Sequence, residues 1–274
     1  FWGTTLLEED RARVGRLAAA LAMGKQKRLH RCDRALDPDA FAGDLADHAS
    51  GFLAPLIKTL RVTWPSPLLE HGIVLVDLPG VGVAGDVYRE VTNEWIAKRA
   101  KAVVLVVGRA GVTEAAADLL RSSQFLMRLF FSRDDQPQDP VVLAVAMSHI
   151  DDVAETEWTK DRTKKKAVHL VEQFDRARGL VRSQLRQVLT RVWESGDASV
   201  RVGQQEVIER LAREALVFPV SAPQYRRCLA QDDDDRPFIA DADHSGVPAM
   251  ITGLAGILAQ RRDDAARASD EAVK

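Results

Sequence analysis

Two hydrophobic periods alternate along the chain. From Thr4 to Arg31, Leu6, Leu7, Val14, Leu17, Leu21 and Leu29 recur near helical spacing among Glu, Asp, Arg and Lys, which predicts an amphipathic helix. Asp37-Pro38 predicts the start of a second helix running to His48, because proline fits the first helical turn. From Leu56 the period changes. Leu56 to Trp64 alternates as a half-buried strand does, and Pro65 and Pro67 stop it. The short apolar run Ile73 to Val76 is predicted to be a buried strand ending in Asp77-Leu78-Pro79-Gly80. An amphipathic helix over 87–99, a buried strand over 102–107, a helix over 113–131 with Thr113 as N-cap, and a buried strand over 141–147 follow.

The second half is mostly helical. Lys, Arg, Gln and Glu at helical spacing predict helices over 157–193 and 204–214, separated by the turn Ser195-Gly196-Asp197. Leu216 to Val220 is predicted as a strand, Asp232 to Asp235 as an acidic loop, and Val247 to Gln260 as a final helix introduced by Ser245-Gly246. Short apolar strands alternating with helices of ten or more residues predict an α/β fold, a mostly parallel sheet with helices on both faces. No internal repeat is visible.

Composition narrows the class. The 274 residues carry 38 Lys and Arg against 40 Asp and Glu, a net charge of -2, so no excess of cations drives the whole chain toward nucleic acid or anionic lipid. Specific nucleic-acid binding is not expected. The run Thr163 to Lys166 is basic but short, and an exposed helix face competes there with a lipid-binding patch. Cys32 and Cys228 are too few for a disulfide framework or a zinc site, and a reducing, cytoplasmic setting is expected. Apolar runs such as 102–107 fall far short of the ~20 residues that span a bilayer. Phe1 rather than Met opens the chain, which is expected to be a fragment.

Three strand exits carry candidate chemistry. A carboxylate at the end of a parallel strand projects into the crevice where such sheets bind ligands, so Asp77 can hold magnesium through a water. Gly80, lacking a Cβ, lets its N–H approach a phosphate. Asp-Leu-Pro-Gly also serves as a plain strand-to-turn link. At the next exit, Ser148-His149-Ile150-Asp151, the Asp151 carboxylate can accept from the N1 hydrogen and 2-amino group of guanine, a donor pair adenine lacks. Asp151 and Asp152 can equally cap the following helix. At the third, Val217 to Ala222, the turn Ser221-Ala222 can offer backbone N–H groups to a guanine carbonyl, or be an ordinary strand end. Their order and their spacing of about 70 residues match a guanine-nucleotide-binding sheet.

These residues carry a family resemblance. "WPSPLLEHGIVLVDLPGVG", "VVLAVAMSHIDDV", "VFPVSA" and "SGVPAMITGL" resemble the segments of dynamin-like large GTPases that link the second and third strands, read guanine and enter the last helix. Asp151-Asp152, "AAADLLRSSQFLMRLFF" and the helical insert after the guanine-reading strand look most like the nuclear, germinal-centre-associated branch and its bacterial relatives. The resemblance covers residues 50 to 260. It implies a helical segment over 1–50 between the switch I region and the sheet, a partial GTPase domain over 51–260, and the start of a helical stalk or tail over 261–274.

The resemblance further implies a P-loop-GTPase-like sheet lacking its N-terminal part, GTP and magnesium as ligands, and GTP hydrolysis that is weak or absent in this truncated chain. Asp77 and Gly80 would serve magnesium and the γ-phosphate. Ser148, His149, Asp151, Ser221 and Ala222 would hold the base. Homodimerisation or higher self-assembly, and peripheral membrane contact or a nuclear location, are family expectations. The chain departs from the pattern twice: Ser148-His149 replaces Thr-Lys or Asn-Lys, and no Gly-x-x-x-x-Gly-Lys-Ser/Thr occurs in the 274 residues. Gly24-Lys25 is no substitute, since no glycine precedes it by five residues and Gln26 follows. A phosphate loop upstream of Phe1 is therefore expected. The alternative is a nucleotide-blind interaction module that retains the fold.

Overall fold

The structure is a computed structural model. It describes residues 11–12, 14–15, 18–19, 37–49, 60–63, 66, 69, 74–78, 86–131, 141–194 and 204–272. The chain divides into two compact units, Phe1–Pro65 and Ser66–Lys274.

In the first unit, residues 11–12, 14–15 and 18–19 are helical, within the helix that the leucine spacing predicts. Helix α1 (Pro38–Ala49) follows. Asp37 caps it: its carboxylate accepts the Ala40 N–H at 2.9 Å, and its carbonyl accepts the Phe41 N–H at 3.0 Å. The strand predicted over 56–64 is corrected for its described part: Leu60 to Thr63 lie outside any strand and are exposed. Alternation alone does not make a strand, because the backbone must also find a pairing partner.

The second unit is built on strands β1 (Ala102–Val107), β2 (Val142–Met147) and β3 (Leu216–Pro219). They pair in parallel in that order, with Val107 opposite Met147 and Met147 opposite Pro219. All three therefore exit at one edge of the sheet. Leu143 to Met147 are buried without a break, so both faces of β2 are covered. The described fold is thus mixed α/β with a three-stranded parallel sheet.

The predicted strand Ile73 to Val76 is likewise not found where it is described. Val74 and Leu75 are 77% and 61% exposed, and residues 74–78 belong to no strand, although Leu78 packs on the core.

Helix α2 (Asp86–Lys98) precedes β1. The single helix predicted over 113–131 is two, α3 (Glu114–Ser122) and α4 (Phe125–Phe131). Thr113 caps α3 as predicted, accepting the Ala116 N–H. The break falls at Gln124, whose φ of 58° is left-handed; it turns Phe125 and Leu126 fully into the core. The helix predicted over 157–193 is also two, α5 (Ile150–Lys160) and α6 (Lys166–Glu194). Asp161 interrupts it, its carboxylate oxygen accepting from both the N–H (3.0 Å) and the hydroxyl (2.5 Å) of Thr163.

Helix α6 is the long spine of the unit. Its buried Leu170, Phe174, Ala177, Val181, Leu185, Val188 and Val192 recur every three or four residues, one continuous apolar stripe. Burying a side chain such as Leu185 contributes about 2 kcal/mol, which is why this face stays seated. Helix α7 (Gln204–Glu214) leads into β3, and α8 (Ala222–Ala230) follows it. A short 3-10 turn (Ala242–Ser245) then introduces α9 (Val247–Ala272), which joins the helix predicted to Gln260 with the helical tail expected after it.

Candidate site at the strand exits

Hydrogen bonds lace the exits of β1, β2 and β3 together. Ser148, the first residue beyond β2, donates its N–H (2.8 Å) and its hydroxyl (3.1 Å) to the Val107 carbonyl at the end of β1. Val220 donates to the Met147 carbonyl at 2.8 Å, and Ser221 to the Ser245 carbonyl at 2.8 Å. Ser148, His149, Asp151, Ser221 and Ala222 thus gather at one sheet edge, where parallel sheets bind ligands.

His149 turns the chain from strand to helix. It occupies the N-cap of α5 with φ 61° and ψ 29° and makes no side-chain capping bond. A left-handed histidine is uncommon, and such conformations concentrate at functional sites. Its Nδ1 lies 3.4 Å from an Asp152 carboxylate oxygen, both side chains being about two-thirds exposed.

Asp151 sits one residue into α5. It is only 6% exposed, and its Oδ1 has no hydrogen-bond partner among the described residues. Neither Asp151 nor Asp152 is the N-cap, so side-chain capping does not account for the pair, although the helix dipole favours negative charge in this first turn. A buried, unpartnered carboxylate oxygen costs about 1–3 kcal/mol unless something occupies its lone pairs.

Ser221 is fully buried and structural. Its hydroxyl oxygen accepts the Gln224 N–H at 3.3 Å and caps α8. Ala222 is exposed at the first position of α8, where a backbone N–H has no acceptor within its own helix. Ser148 likewise spends its hydroxyl on Val107, which makes it a brace between strand ends.

Asp77 is exposed on the non-strand segment 74–78, and Gly80 lies outside the described residues. No group of three or more His, Cys, Asp or Glu side chains suited to a metal ion occurs among the described residues. Nor is any helix among them long and apolar enough to cross a membrane.

Two lysines of the basic run are paired: Lys164 with Glu172, and Lys166 with Glu155 at 3.2 Å. Arg162 lies over the Trp158 ring at 4.8 Å. The structure also brings two unpredicted groups to the site. Gln184 of α6 binds the loop leaving β1, and Asp241 caps the 3-10 turn that presents the Ser245 carbonyl. No local motif marks Gln184, since its partners lie more than 70 residues away in sequence.

Compared with models of known protein families, with curated proteins and with solved structures, the chain has no match.

Proposed function

We propose that this chain contributes the guanine-reading side of a GTP-binding and GTP-hydrolysing domain of the dynamin-like type. The observation that carries the reading is Asp151: a buried carboxylate with an unpartnered oxygen, at the exit of the middle strand of a parallel sheet. A ligand with two adjacent N–H donors would pair with the two oxygens of this carboxylate once it is reached, and guanine presents such a pair where adenine does not. His149 and the exposed start of α8 at Ala222 lie at the same sheet edge.

Hydrolysis, self-assembly and membrane remodelling or tethering belong to the same proposal and rest on the family resemblance. Asp77 and Gly80 would serve magnesium and the γ-phosphate, with Asp77 holding the ion through a water.

The test is a titration with fluorescent GTP and ATP analogues in magnesium. Competition by unlabelled guanine nucleotides and not by adenine nucleotides is the expected result. Equal competition by ATP would sink the base-reading role of Asp151.

A second reading, an interaction module of the same fold that binds no nucleotide, is favoured by one observation. The 274 residues contain no phosphate-loop motif. Absence of saturable binding by folded protein extended upstream of Phe1 would select it.

A further inference from the structure

Helix α6 reaches the loop that leaves β1 through Gln184. The loop that leaves β1 turns at Gly108–Gly111, with the Gly111 N–H donating to the Gly108 carbonyl at 2.9 Å. Gln184, half-buried on α6, closes this loop from outside: its Oε1 accepts the Val112 N–H at 2.8 Å, and its Nε2 donates to the Ala110 carbonyl at 2.8 Å. The primary amide thus pairs with the loop backbone on both sides of Gly111, as an adjoining strand would. Gly111 has φ +74°, and a Cβ there would overlap Gln184 Oε1, so any other residue at this position would displace the amide.

Two further contacts hold the same geometry. Seven residues along the same helix face, Arg191 reaches Glu114, the first residue of α3, at 2.9 Å. Val112 is buried beside the clamp. The clamped loop begins one residue after Val107, whose carbonyl carries both the N–H and the hydroxyl of Ser148. Ser148 in turn leads directly into left-handed His149 and Asp151. A contiguous path of backbone and hydrogen bonds therefore runs from Gln184 through residues 112–107 to Ser148 and on to Asp151.

We propose that Gln184 is a positioning residue of the nucleotide site, fixing the β1 exit on which Ser148, His149 and Asp151 are hung. This rests on the guanine-nucleotide reading. It makes α6 part of the site, because loss of one amide frees the strand exit without touching any residue that meets the base.

The test uses the full chain, a fluorescent GTP analogue with magnesium, and hydrogen exchange at the Val112 amide. Gln184→Met keeps the length of the side chain and loses both hydrogen bonds; it is expected to accelerate Val112 exchange and weaken GTP about tenfold. Gln184→Glu supplies the acceptor but, while ionised, not the donor. Protonation restores a donor, so its affinity for GTP should recover relative to wild type as pH falls through about 4–5. Gln187→Met, on the exposed face of the same helix, should match wild type throughout. Wild-type affinity in Gln184→Met, despite accelerated Val112 exchange, overturns the positioning role, as does a pH-independent defect in Gln184→Glu. Wild-type protein that binds no guanine nucleotide overturns the underlying function instead, while Val112 exchange still reports whether the clamp exists.

Discussion

Gly246 and Pro219 are in contact so close that no other residue fits: a Cβ on Gly246 would overlap the Pro219 carbonyl oxygen, and Gly246 holds φ +78°. The contact joins the last residue of β3 to the turn that starts α9. Pro219 is backbone in a paired strand and cannot shift cheaply. Gly246→Ala therefore meets both a left-handed backbone, worth about 1–3 kcal/mol, and a steric clash. Thermal unfolding should fall by at least about 5 °C. An unchanged melting temperature would mean that α9 detaches from β3 without consequence.

The unpartnered oxygen of Asp151 predicts opposite effects on stability and binding. Removing a buried carboxylate whose Oδ1 nothing satisfies relieves a desolvation penalty. Asp151→Ala is expected to leave the melting temperature of ligand-free protein unchanged or higher, while abolishing preference for guanine nucleotides. Asp151→Asn should shift preference from guanosine toward xanthosine triphosphate. A large loss of stability in Asp151→Ala would make the residue structural and remove the main support for the proposed function.

Arg128 on α4 caps the carboxyl end of α2. Its guanidinium donates to the carbonyls of Ile96 (3.0 Å), Ala97 (3.3 Å) and Ala100 (3.1 Å), the groups a helix end leaves without partners. Arg128→Met should cost about 2 kcal/mol in denaturant unfolding. Arg128→Lys should restore little of it, because a single ammonium cannot span three carbonyls in a fixed plane. Full recovery with lysine would show that charge near the helix end, not the fork, is what matters.

Acid should loosen the turn beneath the site. The Asp241 carboxyl is held below its ordinary range, chiefly by its hydrogen bond with the His244 ring at 2.6 Å, with further help from the His244 and Asp243 N–H groups. A carboxyl lowered by folding stabilises the folded state above its ordinary value of 3.8, and that contribution is lost as pH falls through the lower folded value. Asp161 and Glu172 are lowered too, by Thr163 and Lys164 first, and act in the same direction. Amide exchange at Ser221, which donates to Ser245, should accelerate as pH drops below about 4 once corrected for intrinsic rates, and Asp241→Asn should weaken that dependence. A corrected profile identical in the two proteins would separate Asp241 from the site.

The three strands were legible in the chain because Ala102–Val107, Val142–Met147 and Leu216–Pro219 are continuous apolar runs, although only β2 is buried along nearly all its length and Val106 of β1 is 70% exposed. Their helices, and the order of the exits carrying Ser148, Asp151 and Ser221, followed from the same alternation. Helix breaks at Gln124 and Asp161 did not, because periodicity reports which face is apolar and continues unchanged across a single left-handed residue or a side-chain turn.

What only the tertiary structure decided is relational. Val74 to Val76 has the composition of a buried strand yet lies exposed, since a strand exists only where a neighbour supplies its hydrogen bonds. The same holds for function: Asp151 was visible as a carboxylate at a strand exit, but its burial and unpartnered oxygen depend on everything packed around it. Gln184 looked like any polar residue on a helix. Its role at the β1 exit arises because folding places it against a loop 74 residues earlier in the chain, a separation that no local pattern encodes.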